Sequence, residues 1–366
     1  MVFYRVTGKF YSFHASFFIA PAISFYICKF PFVNTGKVHL KQAFENIFFA
    51  GAGSIGTALG NALARSGIKV TLFTIEEDVA RSVNEQHINQ EYFPNALLSE
   101  RLLATTDAEE LKRADILFLA IPSVITVDFV LQNKELIRDE TVLVNLAKGF
   151  GCGRMTITAC LQKMVANPVC TLKGPTFARE IMNGAPTAMT FAAHDPLLFE
   201  KISSLFAGTP LYLDYTDDVE GVEFLSILKN IYAIILGIVD ANFDSPNLRF
   251  LILTKAFAEM RKIMLLNGGE EGSLFHYCGY GDFGLTALND LSRNRTLGLL
   301  IGKGFFTRDI SDKVVLEGKM AVNIICNEIL QAEECGAFPL ICELNRIFMN
   351  NYDVSAFVGN ILKTMR

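Results

Sequence analysis

Residues 46–56 read NIFFAGAGSIG, an apolar run that breaks into Gly51-Ala52-Gly53-Ser54-Ile55-Gly56. The run has the character of a buried parallel strand, Thr57–Arg65 (TALGNALAR) has helical composition, and Ser66-Gly67 ends it. A second strand follows at once over Lys69–Phe73. Strand, glycine-rich turn, helix and strand in this order are what a dinucleotide-binding turn requires. Gly51 allows the tight turn, Gly53 lets backbone N–H groups approach a pyrophosphate, and Gly56 lets helix and strand pack closely. The N-terminus of the helix then stabilises the phosphate charge. A bound NAD or NADP is therefore expected. Between the two, Glu76 past the second strand is the residue placed to meet a ribose hydroxyl, and no Arg or Lys stands there for a 2′-phosphate, so side-chain chemistry leans to NAD.

Further alternation continues the pattern. Ile116–Ile121 and Thr141–Ala147 read as buried parallel strands with a helix over Ile125–Ile137 between them, and Val169–Leu172, Thr187–Ala192 and Leu211–Asp214 read as further strands. In an open α/β sheet, ligands bind beyond the carboxyl ends of the strands. Pro122-Ser123, Lys148-Gly149 and Lys173-Gly174-Pro175-Thr176-Phe177-Ala178 all fall at such ends. From about Asp217 strand alternation stops and long helical runs take over: Val222–Ala241, Leu248–Leu266, Asn289–Lys303, Lys313–Glu334 and Pro339–Arg366. The fold class expected is an α/β Rossmann-type dinucleotide-binding domain, residues 45–215, followed by a mainly α-helical C-terminal domain, residues 216–366, with the active site in the cleft between them.

Two features of the helical part carry chemistry. FLSILKNIYAIILGIV at residues 224–239 is apolar apart from Ser226, Lys229 and Asn230, and burial would lower the pKa of Lys229 toward a range useful for proton transfer. GYGDFGLTALNDLSRNR at residues 279–295 supplies Asp282, Ser292, Arg293, Asn294 and Arg295, a compact set able to hold a small phosphorylated substrate against a nicotinamide.

Composition narrows the alternatives. With 366 residues, the net charge of −5 argues against a nucleic-acid binder held by a basic surface, so any phosphate contact is expected to be local. The eight cysteines contain no CxxC pair and the five histidines are scattered, which makes a metal site improbable on pattern and reduced thiols in a cytosolic enzyme the simplest expectation. Residues 1–44 stand apart, with Arg5, Lys9, Lys29, Lys37 and Lys41 and no acid. This extension reads either as dispensable or as a targeting or membrane-surface segment; Pro21 at the middle of its aromatic run argues against a spanning helix.

From Glu45 onward the chain resembles the bacterial-type NAD(P)-dependent glycerol-3-phosphate dehydrogenase family. The resemblance rests on GAGSIGTAL at 51–59, EYFP at 91–94, AIPS at 120–123, AKG at 147–149, GPTFARE at 174–180, GVE at 221–223, LKN at 228–230, AEM at 258–260, GYGD at 279–282, SRNR at 292–295 and LEG at 316–318. It implies interconversion of dihydroxyacetone phosphate and sn-glycerol 3-phosphate by hydride transfer with NAD(P)H, supplying glycerol 3-phosphate for glycerophospholipid synthesis. It implies Lys229 as general acid/base, and Lys148, Gly174, Thr176, Lys229, Asp282, Ser292, Arg293 and Asn294 around the substrate. Ser54, Ile55, Lys148, Ala178, Arg293, Val315 and Glu317 would contact the dinucleotide. Ile75 stands where the family usually carries a basic residue or histidine, a departure at the ribose end of the cofactor. The expected partners are the small phosphorylated substrate and, if the chain associates, a second copy in a homodimer, with no nucleic acid and no metal; the expected location is cytoplasmic. Two other readings compete: a catalytically weakened dinucleotide-binding regulator, and a related hydroxyacid-type dehydrogenase.

Overall fold

A parallel sheet covered by helices on both faces has strands that are apolar at nearly every position, and the strands here follow that rule. The computed structural model describes residues 44–305, 312–329, 336–349 and 354–364, all within one compact unit. Its first half runs β1 (Ile47–Ala50), α1 (Ser54–Arg65), β2 (Val70–Phe73), α2 (Glu77–Arg81), β3 (Leu102–Thr105), β4 (Ile116–Leu119), α3 (Ser123–Gln132) and β5 (Val142–Asn145). It continues with α4 (Ile157–Met164), β6 (Val169–Lys173), α5 (Ala178–Met182), β7 (Thr187–Ala192), α6 (Pro196–Phe206) and β8 (Leu211–Thr216). The eight strands lie in the order β3-β2-β1-β4-β5-β6-β7-β8. Strand order therefore reverses between β1 and β4, whose carboxyl ends open the crevice in which such sheets bind ligands.

The sheet is mixed: β7 runs antiparallel to β6, while β8 is parallel to β7. Only the five-residue α5 intervenes between β6 and β7, and the chain turns back at the same end of the sheet instead of crossing over. β3 went unread in the sequence because LLAT is a four-residue edge strand buried at alternate positions only, a weak signal beside the fully buried β4 and β5. The helix expected over Ile125–Ile137 ends at Gln132. Residues 1–43 of the expected N-terminal extension lie outside the described residues, as do 330–334 of the helix expected over Lys313–Glu334.

The second half is built around α7 (Val219–Asn242). A helix apolar on every side must be buried on every side. α7 is long and apolar enough to cross a membrane by length and composition alone, yet 94% of its most apolar window is buried inside the protein. Around it pack α8 (Pro246–Leu266), α9 (Asp282–Leu288), α10 (Arg293–Gly302), α11 (Asp312–Ile324) and α12 (Pro339–Met349), with α13 (Val354–Thr364) against α10 and α12. Because α7 also touches β6 and α4, it carries its side chains from the helical core directly to the carboxyl end of the sheet.

One cysteine expectation is corrected. Cys152 and Cys160 form a disulfide across a Cα separation of 5.9 Å, within the range such a bond needs. The loop after Gly151 folds back on the first turn of α4, with Gly151 N donating to Met155 O at 2.9 Å, and this brings the two thiols together. Cys170, Cys278 and Cys326 are free and buried.

Candidate active site

Gly51 turns the chain out of β1 with φ at +106°, a left-handed conformation that side chains disfavour, and a Cβ there would lie 2.7 Å from the Ala120 carbonyl oxygen. The turn is held from behind. Asn89 Nδ2 donates to Ala52 O at 2.8 Å and to Thr57 Oγ1 at 2.9 Å, and Thr57 Oγ1 donates to Ala52 O at 3.0 Å. Among the described residues no side chain caps the N-terminus of α1, so its first N–H groups keep their hydrogen-bonding capacity for a ligand. A Cβ on Gly53 would meet nothing within 4 Å, whereas one on Gly56 would collide with the Gly51 carbonyl. Open space at Gly53, tight packing at Gly56 and an uncapped helix end together fit a dinucleotide pyrophosphate.

A cleft of about 420 Å³ runs from this turn to the helical half. Of the residues expected in the site, Ser54, Ile55, Lys148, Thr176, Ala178, Lys229, Asp282, Ser292, Arg293, Asn294 and Glu317 all line it. Gly174 lies just behind, its carbonyl accepting from Lys148 Nζ at 3.3 Å and from Thr176 Oγ1 at 3.2 Å. Glu317 Oε1 accepts from Ser123 Oγ at 2.5 Å, which ties α11 to the end of β4. The side chain of Val315 lies outside the described residues.

At the base of the cleft two lysines meet one carboxylate. Lys229 projects from α7, buried, and donates to Asp282 Oδ1 and, at 3.1 Å, to Thr286 Oγ1. Asp282 opens α9, and its other oxygen accepts from Lys148 Nζ at 3.4 Å. Burial pushes the pKa of Lys229 down, Asp282 opposes that shift, and the neighbouring Lys148 ammonium reinforces it. The result is a lysine that exchanges its proton nearer neutrality than a free side chain does. Thr286 carried no separate signal in the sequence, although it stands one helical turn beyond Asp282 on the same face of α9.

The SRNR segment divides at its last residue. Ser292 caps α10 by accepting from Arg295 N at 3.3 Å, and Arg293 and Asn294 follow at the cleft. Arg293 is exposed and forms no ion pair with any described residue. Arg295, expected with them at the phosphate, points the other way. Its guanidinium is buried against Asp240 Oδ2 at 2.7 Å and Asp290 Oδ1 at 2.5 Å, and Asp240 is held in turn by Arg249 at 2.6 Å. Successive residues at a helix start are about 100° apart around the axis, so Arg293 and Arg295 face opposite sides.

This combination of turn and lysine-carboxylate cleft agrees with comparison to known proteins. Residues 46–198 match the model for the NAD-dependent glycerol-3-phosphate dehydrogenase N-terminus, and residues 218–359 match that for its C-terminus. The chain belongs to the NAD-dependent glycerol-3-phosphate dehydrogenase family. A glycerol-3-phosphate dehydrogenase, NAD(P)+ type, of Geobacter sulfurreducens is 36% identical over 283 residues, covering 75% of this chain and 84% of that protein. The chloroplastic glycerol-3-phosphate dehydrogenase (NAD+) 2 of Arabidopsis thaliana is 32% identical over 281 residues, covering 75% of this chain and 67% of that one. The crystal structure of the glycerol-3-phosphate dehydrogenase of Coxiella burnetii superposes with a TM-score of 0.79 at 27% identity, covering 88% of this chain and 99% of that chain. As a member of this dehydrogenase family the chain is an oxidoreductase, dependent on NAD or NADP, with a Rossmann-type sheet followed by a helical region.

Proposed function

We propose that Lys229 is the acid/base of the reaction that interconverts dihydroxyacetone phosphate and sn-glycerol 3-phosphate, in the cleft between residues 45–215 and 216–366 acting as two domains. The observation that carries this reading is the meeting of Lys229, Lys148 and Asp282 at the base of the cleft that begins at the dinucleotide turn. When bound, the nicotinamide supplies or accepts the hydride, so the chain's task is to hold the substrate and move a proton. Lys229 Nζ gives its proton to the carbonyl oxygen of dihydroxyacetone phosphate and takes it back from the hydroxyl in the reverse direction. Lys148 and Lys229 together put positive charge where that oxygen becomes an alkoxide. Asp282 holds both ammonium groups in place. Arg293 and Asn294, with the N–H groups at the start of α10, receive the phosphate, because a planar guanidinium matches two phosphate oxygens and a helix N-terminus favours an anion. Gly174, Thr176 and Ser292 shape the wall around the substrate, and Gly51, Gly53, Ser54, Ile55, Gly56, Ala178 and Glu317 that around the dinucleotide.

Three finer points belong to the same reading. Glu76, exposed just past β2 at the start of α2, favours NAD over NADP, since a 2′-phosphate would meet a carboxylate there. The product serves glycerophospholipid synthesis. The protein works in the cytoplasm, as a monomer or homodimer. The deciding experiment is oxidation of NADH, and separately NADPH, by the purified protein with dihydroxyacetone phosphate. Faster turnover with NADH is expected. Silence with both coenzymes, while they still bind, would favour the regulator reading; turnover only with non-phosphorylated 2-oxo acids would favour the hydroxyacid-type dehydrogenase.

A further inference from the structure

Lys173 and Glu223 belong to none of the roles above, yet both are completely buried beside the site. An ammonium taken out of water is costly unless its donors are all used. Lys173, the last residue of β6, uses three: its Nζ donates to Ala147 O at 2.6 Å and Asn145 O at 3.0 Å, and pairs with Glu223 Oε1 at 3.2 Å. The same Glu223 oxygen accepts from Thr171 Oγ1 at 2.5 Å, Asn145 Nδ2 at 2.8 Å and Thr158 Oγ1 at 3.0 Å. Burial pushes the Lys173 ammonium down to about 8, with Glu223 opposing the shift. Replacing a buried pair of this kind with apolar side chains is often neutral or stabilising, so fold stability alone does not account for it.

What the pair holds is the segment that delivers Lys148. Paired strand residues of β5 end at Asn145, and beyond Leu146 the backbone of Ala147 is secured by side chains: its N–H donates to Asn145 Oδ1 at 2.9 Å, and its carbonyl takes Lys173 Nζ. The next residue in the chain is Lys148. At the far end of that side chain, Lys148 Nζ donates to the carbonyl of Gly174, the neighbour of Lys173. Lys173 and Gly174 thus grip Lys148 at both ends, backbone and ammonium. Glu223 ties this grip to α7, the helix that carries Lys229.

We propose that the buried Lys173–Glu223 pair is a positioning device that fixes where Lys148 stands relative to Lys229 and Asp282. The pair touches neither substrate nor cofactor and acts through Lys148. This rests on the reading of Lys148 as a substrate-binding cation.

The test compares full-length wild type, Lys173→Met, Lys173→Met/Glu223→Gln and Lys148→Ala, and combines the last two. Melting temperature, NADH affinity by fluorescence, and kcat and KM for dihydroxyacetone phosphate are read for each. Lys173→Met strands a buried carboxylate and is expected to melt earlier; the double variant removes that charge and is expected to regain most of the loss. If the pair positions Lys148, the double variant keeps a ~10- to 100-fold deficit in kcat/KM even where its melting temperature is regained, because misplacing a reacting group is costly even in a sound fold. Lys148→Ala is then expected to cost much less in that background than in wild type, the signature of residues acting as one unit. Recovery of kcat/KM along with melting temperature, or fully additive losses, would overturn the proposal. Wild-type turnover by Lys148→Ala would instead overturn the reading of Lys148 on which it stands.

Discussion

Asp282 is an anion that two site lysines share, and Asp282→Asn removes its charge while keeping an oxygen acceptor in nearly the same shape. At the 3.4 Å that separates it from Lys148, a unit charge pair is worth about 5 kcal/mol at an effective dielectric of 20. Lys148 is one-quarter exposed, so part of that is screened; Lys229 is closer and dry. With the retained hydrogen bond offsetting some of the loss, about 3 kcal/mol remains for Lys229, equivalent to a fall of about two pK units. The sign follows from the lysine's charge: losing the nearby anion lowers its pKa further below the ordinary value, leaving it neutral at a pH where the wild type is still protonated. With Lys229 as the proposed acid, reduction of dihydroxyacetone phosphate needs the protonated form, so its kcat/KM at neutral pH should drop ~100-fold and recover as the pH is lowered. Oxidation of glycerol 3-phosphate needs the neutral form, and the rising limb of its profile should move to lower pH by the same ~two units. Because Lys229 is in contact with Asp282 and beside the Lys148 ammonium, the limbs report Lys229 within that cluster and not an isolated side chain. The assay is NADH absorbance in both directions across a pH series. Unmoved limbs, with turnover within about threefold of wild type, would refute the electrostatic role assigned to Asp282.

Lys229→Ala should lower turnover by ~10³ or more while leaving NADH affinity intact, and near-normal turnover would move the acid/base elsewhere. Arg293→Lys should raise KM for dihydroxyacetone phosphate ~10-fold or more with a smaller change in kcat, since an ammonium cannot reproduce a two-point phosphate contact; an unchanged KM would relocate the phosphate. Glu259 lies deep in the helical core, accepting from Tyr232 Oη at 2.9 Å and from Leu340 N at 3.1 Å, and burial pushes its pKa up to about 7. Its folded pKa exceeds its unfolded one, so its contribution to stability is full below about pH 4.5 and is lost as pH rises through about 7. The stability of wild type over Glu259→Gln should therefore shrink by ~3 kcal/mol across that window, measured by denaturant unfolding, and a pH-independent difference would show that Glu259 is ionised throughout.

Local spacing carries local chemistry, and here it carried a great deal. The glycine pattern at 51–56 between an apolar run and a helix needs no distant contact to be read, because the turn, the helix start and the strand are adjacent in the chain. The change from strand alternation to long helical runs near Asp217, and the family itself, were legible for the same reason. An apolar run such as 224–239 announces a buried helix, and a lysine inside it announces a proton-transfer candidate.

Tertiary packing decided what spacing leaves open. Arg293 and Arg295 are alike in sequence, and it is the buried Asp240 on α7, far off in the chain, together with Asp290, that draws Arg295 away from the cleft. Thr286, Asn89 and the Lys173–Glu223 pair support the site from separate elements, so their significance depends on distances that no local pattern encodes. The direction of β7 depends on how the chain leaves β6, and four residues of an edge strand give too little periodicity to declare β3. The sequence by itself determined which chemistry the chain carries and on what kind of scaffold. Only the folded structure decided which of two equivalent arginines faces the cleft and which buried charges hold Lys148 in place, because those choices rest on contacts between elements remote in the chain.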